Sequence, residues 1–200
     1  MKIGLFFGSF NPVHVGHLML GNYICETTDL KKVWLVVSPQ NPLKDKSSLL
    51  NEYDRLHLIT LATENNNNLK PSNIEFKLPQ PNYTVDTLAY LQDKYPQHEF
   101  CLIMGSDNIA TLHKWKNYEQ IVNRYTIYIY KRRGSDNNPY PNHKNLVWVD
   151  FPFIDISATF IRQQIKAGVS MEYFLPEKVW EYVKENRLYK KGTANSKTTS

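Results

Sequence analysis

Cysteine is nearly absent from this chain. Cys25 and Cys101 are the only two, and both lie in apolar segments. Buried free thiols are therefore expected, not a disulfide framework or a thiolate metal site. No apolar run approaches the length of a membrane span, and the first residues enter a strand-like segment at once, so a cytoplasmic protein is expected. The formal charge is a modest +5, part of it from Lys190, Lys191 and Lys197 near the tail. There is no dense basic stripe, which argues against a nucleic-acid partner, while a small basic excess suits small anionic substrates. No internal repeat and no interdomain linker interrupt the chain. Its 200 residues, 42% hydrophobic and 22% charged, suit one globular domain with a real core. That domain is expected over 1–191, with the small polar residues 192–200 disordered.

Strand-like and helix-like patterns alternate along the chain. Lys2–Phe7, Val33–Val37, Ile74–Phe76, Phe100–Met104, Tyr125–Tyr130 and Val147–Val149 read as strands. Helical spacing is expected from His17 to about Cys25, over Leu49–Ala62 and Thr84–Tyr95, from Asp107, and over Ser157–Ala167 and Pro176–Asn186. Polar loops fill 40–48 and 65–68. Alternation of this kind predicts an α/β fold, a doubly wound parallel sheet with helices on both faces. Ligands of such sheets sit beyond the carboxyl ends of the strands.

At one such end stands Gly8-Ser9-Phe10-Asn11-Pro12-Val13-His14-Val15-Gly16-His17. Glycine, asparagine and proline force a turn between strand and helix. Unpaired backbone N–H groups and the positive end of a helix dipole then meet at one point, an arrangement that binds phosphate. The plain alternative is a surface turn with two incidental histidines. The segment resembles the nucleotidylyltransferase signature, in which a glycine, phenylalanine and proline turn leads into His-x-Gly-His. Asn11 stands where that family usually has aspartate, and both residues suit the turn. The second feature, Ile156-Ser157-Ala158-Thr159-Phe160-Ile161-Arg162, offers Ser157 as a helix N-cap, Ile161 for the core and Arg162 one turn beyond Thr159. Alone it reads as a capped helix with a solvated arginine. It also resembles the Ile-Ser-x-Thr-x-x-Arg motif of the same superfamily.

Three further segments are similar to those of the bacterial nicotinate-nucleotide adenylyltransferase family, which has a Rossmann-like fold. Asn82 to Leu88 resembles its Tyr-Thr-x-x-Thr-Leu segment. Met104 to Trp115 resembles its Gly-x-Asp segment followed by tryptophan. Asn41-Pro42-Leu43-Lys44 loosely resembles its Pro-Pro-His-Lys loop. The resemblance implies adenylyl transfer from ATP to nicotinate mononucleotide, giving deamido-NAD and pyrophosphate in NAD biosynthesis. It implies Mg²⁺ carried by the ATP phosphates and no protein metal site. His14, His17, Arg162 and Lys44 would be catalytic. Gly8, Ser9, Phe10, Gly16, Ser157 and Thr159 would bind ATP. Apart from the resemblance, Arg132, Arg133 and Gly134 sit past a strand end, so one of the arginines, Arg133 among them, could face the polyphosphate. Tyr83, Thr84, Asp107 and Trp115 would bind the mononucleotide.

Elementary chemistry agrees with these roles. Guanidinium suits a polyphosphate oxygen pair. An indole face attracts a cationic pyridinium ring. A carboxylate past a strand end can accept ribose hydroxyls. Each residue keeps an alternative: Trp115 in the core, Tyr83 shaping a turn, Asp107 capping a short helix, Arg133 in a solvated loop. A phosphate monoester is itself a competent nucleophile, so no serine or cysteine is needed, and positioning and charge stabilisation are the work required. Rival readings are a phosphopantetheine, nicotinamide mononucleotide or cytidylyl transferase of the same superfamily, and a nucleotide-binding module without catalysis.

Overall fold

The computed structural model describes residues 1–39, 49–135 and 138–190. Lys44 with its loop, Lys191 and the tail 192–200 fall outside the described residues. The chain runs β1 (Lys2–Gly8), α1 (Val15–Thr27), β2 (Lys32–Val37), α2 (Glu52–Thr63), β3 (Leu69–Ser72), α3 (Thr84–Lys94), β4 (Glu99–Gly105), α4 (Ser106–Thr111), α5 (Tyr118–Arg124), β5 (Ile127–Tyr130), β6 (Leu146–Val149), α6 (Ala158–Lys166) and α7 (Glu177–Glu185).

The six strands form one parallel sheet in the order β3-β2-β1-β4-β5-β6. Strand order reverses between β1 and β4. In open parallel sheets ligands bind at such a switch point, because the connections leaving the two strands pass to opposite faces. β1 and β4 read as near-continuous apolar runs because both of their faces are covered. Side chains alternate across the sheet, so Phe6, Cys101 and Ile103 join the cluster under α1, α2 and α7. Ile3, Leu5, Phe100, Leu102 and Met104 join the cluster under α3 and α5. Leu5 is fully buried, and a core leucine cut to alanine costs about 2–5 kcal/mol. Cys25 and Cys101 are both buried and free.

Two expectations need correction. Ile74–Phe76 is no strand; Ile74–Lys77 is a 3₁₀ turn, with Phe76 N–H donating to Asn73 O and Leu78 N–H to Glu75 O. The strand lies just upstream, at β3, and contains Pro71. Proline cannot donate to a ladder, but β3 is an edge strand, where a missing donor on the open side is tolerated. Helix α5 is an element that strand-and-helix patterning passed over. It is short, and Ile121 and Val122 bury one side of it.

Candidate active site

The turn after β1 is built from its own side chains. A Cβ on Gly8 would lie 2.9–3.2 Å from three atoms of the Phe10 ring, and one on Gly16 would lie 3.2 Å from His14 Nδ1. The two glycines therefore make room for the ring and imidazole beside them. Phe10 is 2% exposed, with φ of +44°, a left-handed backbone held in place by burial of the ring against Phe6.

Helix α1 begins earlier than its spacing suggests, at Val15, so His14 takes the N-cap position and His17 the third helical one. The His14 N–H donates to His17 Nδ1 at 3.3 Å, and the rings stack with centroids 3.7 Å apart. His17 also packs edge-on to Phe10. His14 is buried, and burial, with the Arg132 charge as a second cause, lowers its pKa to about 4. It is a neutral imidazole at pH 7. Its Nδ1 is buried without a hydrogen-bond partner within the described residues. A buried polar atom of this kind costs free energy that a ligand or water must offset.

Helix α6 brings the second motif to the same turn. Ser157 Oγ accepts from Phe160 N–H, capping the helix. Arg162 Nη1 donates to Asn11 O at 2.7 Å and Nη2 to Thr159 Oγ1 at 3.3 Å. The two segments, far apart in sequence, therefore share one end of the sheet. Asn11 Oδ1 accepts from Leu50 N–H and from Tyr189 Oη.

Beneath the turn lies Arg55, which the sequence reading missed. It is fully buried, and its donors reach Ser9 O, Ser38 O, Pro39 O and Leu50 O at 2.7–3.0 Å. One guanidinium thus ties the end of β1 to the end of β2. Its signal was present: Arg55 lies three and four residues before Leu58 and Ile59, on the stripe of α2 that is buried.

Of the two arginines beyond β5, Arg133 pairs with Asp155 at 3.2 Å, largely in solvent. Arg132 is the one whose charge reaches His14. Its backbone N–H donates to Ser106 Oγ, and its Nε lies 3.9 Å from the Asp107 carboxylate. Asp107 follows the end of β4 and is exposed. A Cβ on Gly105 would meet its Oδ1 at 2.3 Å, so this glycine clears space for the carboxylate.

The remaining predicted residues gather at the start of α3. Lys116 Nζ sits 4.7 Å above the Tyr83 ring and 2.8 Å from Asp86 Oδ2, which draws the Trp115 segment against Tyr83 and Thr84. A cleft of about 320 Å³ opens there, lined by Leu78, Pro81, Tyr83, Asp86, Thr87 and Lys116 among others. Trp115 is half-buried, with one side on the core. Buried Glu75 accepts from Thr87 Oγ1 at 3.0 Å and bonds the Ser38 side chain; burial raises its pKa. That carboxyl links the cleft to the end of β2. Among the described residues, no group of three or more His, Cys, Asp or Glu is placed to hold a metal ion.

Residues 5–164 match the cytidylyltransferase-like family. A probable nicotinate-nucleotide adenylyltransferase of Flavobacterium psychrophilum is 55% identical over 96% of this chain and all of its own length. Another, from Bacteroides thetaiotaomicron, is 46% identical over 92% of each. Among solved structures, the Plasmodium falciparum nicotinic acid mononucleotide adenylyltransferase complexed with NaAD superposes with a TM-score of 0.79, at 18% identity, over 94% of this chain and 97% of that one. At that identity the superposition speaks to the fold.

Proposed function

The chain belongs to the cytidylyltransferase-like family, among its nicotinate-nucleotide adenylyltransferases, and we propose that it transfers the adenylyl group of ATP to nicotinate mononucleotide, a step of NAD biosynthesis. A phosphate oxygen of the mononucleotide attacks the α-phosphorus in line. The bond from that phosphorus to the bridging oxygen breaks, and pyrophosphate leaves with the electron pair. Deamido-NAD is the product.

The observation that carries this reading is the Arg162–Asn11 hydrogen bond. It sets the guanidinium beside the turn that precedes both imidazoles, so one triphosphate can meet all of them. His14 and His17 donate to phosphate oxygens as charge develops, and such donors act most strongly where water is excluded. Arg162, with Ser157 and Thr159 behind it, holds the leaving pyrophosphate. Backbone groups from Gly8 to Phe10 and at Gly16 line the nucleotide. Arg132 adds a second cation to this end of the sheet, and Arg133 and Lys44 are assigned to the outer phosphates. ATP enters as its magnesium complex. A hard cation of this kind keeps phosphate and water oxygens, and a turn offering imidazoles in place of carboxylates suits a metal that arrives on the substrate.

Tyr83, Thr84 and Trp115 take the pyridinium end of the acceptor, and Asp107 a ribose. The cytoplasm, where ATP is generated, is the compartment this chemistry calls for. The test is pyrophosphate release with ATP and each of nicotinate mononucleotide, nicotinamide mononucleotide and phosphopantetheine. Release is expected with the first at a rate well above the others. Release only with another acceptor would overturn the substrate, and none with any acceptor would overturn the activity.

A further inference from the structure

The C-terminal segment after α7 is bound to the nucleotide turn by a contact that the proposed reaction does not use. Tyr189 Oη donates to Asn11 Oδ1 at 2.9 Å, across 178 residues of chain. The same Asn11 receives Leu50 N–H on its side chain and Arg162 Nη1 on its carbonyl. One residue is thus the junction of three distant segments and the turn itself. Burial raises the Tyr189 phenol pKa although Arg162 and Arg55 pull it down, so the hydroxyl keeps its proton and donates.

The backbone that delivers this hydroxyl is unusual. Arg187 has φ of +52° and Tyr189 φ of +64°, two left-handed residues with side chains within one turn. Such conformations cost about 1–3 kcal/mol each and persist where surrounding contacts hold them. Here the contacts are Arg187 N–H to Lys184 O, Leu188 N–H to Val183 O, and Tyr189 to Asn11. Leu188 meanwhile packs on the core.

We propose that Tyr189 is a positioning residue for ATP: its hydroxyl fixes the Asn11 side chain, and through it the turn that carries His14 and seats Arg162. The proposal rests on the adenylyl-transfer reading of that turn. Tyr189 touches no substrate in this role. It holds the orientation of the group that Arg162 leans on, so its effect falls on the triphosphate and spares the acceptor cleft at the start of α3.

The test is a calorimetric titration of the full-length chain with magnesium ATP, together with steady-state KM values for both substrates. Tyr189→Phe removes one oxygen atom. Losing one hydrogen bond of this kind weakens ATP binding about 3- to 10-fold, while KM for nicotinate mononucleotide is expected to stay within about twofold. Leu188→Ala serves as the stability control. It removes core contact next door without touching Asn11, and it is expected to lower the melting temperature while leaving ATP affinity unchanged. Asn11→Ala already lacks the acceptor, so adding Tyr189→Phe to it is expected to weaken ATP no further.

Wild-type ATP affinity in Tyr189→Phe, equal losses for both substrates, equal ATP losses in Leu188→Ala, or fully additive losses in the double variant would each overturn the positioning role and leave the reaction standing. A wild-type chain that binds no ATP would overturn both.

Discussion

Arg162 and Asn11 are joined by a 2.7 Å hydrogen bond from a guanidinium Nη1 to a backbone carbonyl, across a sequence separation of 151. A carbonyl partner leaves the guanidinium charge uncancelled. Burial of the group, which lowers its pKa from the usual arginine range, shows that the charge is partly desolvated. A cation held in this way attracts a polyphosphate more strongly than a solvated arginine does.

Removing the His17 imidazole should strike turnover. His17→Ala is expected to lower kcat by about 10²–10³, the scale seen when one transition-state donor is lost. Circular dichroism should stay that of the wild type. A folded variant with near-normal kcat would remove His17 from the mechanism.

The stability of the fold should fall as the solution is acidified, and His14 should be a main cause. Its pKa of about 4 in the folded chain lies below the ordinary 6.5. Between those values the unfolded chain takes up a proton that the folded chain refuses, so stability is full above about pH 6.5 and declines towards pH 4. The loss amounts to about 3 kcal/mol from this group. His14→Asn should flatten that part of the profile in urea denaturation at stepped pH. Parallel profiles for the two proteins would contradict the assignment.

Trp115 separates the two substrates. Trp115→Ala is expected to raise KM for nicotinate mononucleotide far more than KM for ATP if, as proposed, the indole face serves the acceptor ring. Equal effects on both would make Trp115 a core residue only.

Arg55 should tolerate neither loss nor exchange. Arg55→Leu leaves the buried carbonyl of Pro39 and the part-buried carbonyls of Ser9, Ser38 and Leu50 without their donor. Each unsatisfied group costs about 1–3 kcal/mol, so a loss above about 4 kcal/mol is expected from urea denaturation. Arg55→Lys keeps the charge but lacks the planar fork, and should recover only part of the loss. A melting temperature close to wild type in Arg55→Leu would show that water or neighbouring groups satisfy those carbonyls.

The strands β1, β2 and β4 were legible because a strand buried on both faces must be almost wholly apolar. The helices α3 and α6 were legible because Val85, Leu88 and Leu91, and Ile161 and Ile165, repeat at helical spacing. β3 was not, because four residues containing a proline carry little pattern, and only its place at the sheet edge makes Pro71 acceptable. The first signature segment announced a turn, with glycine among the residues that force it. The folded chain shows that its glycines also leave room for the Phe10 ring and the His14 imidazole.

Composition, period and motif thus determined a parallel α/β sheet and put the signature turns at the carboxyl ends of its strands, because those signals are local and repeat within a few residues. Which charges meet was decided by tertiary structure alone. The Arg132 charge acts on His14 while Arg133 pairs with Asp155, Arg55 is buried under the turn, and Tyr189 reaches back to Asn11. Such pairings depend on chain segments that no local pattern relates, and they come into being only when the sheet closes its order and brings those segments to one edge.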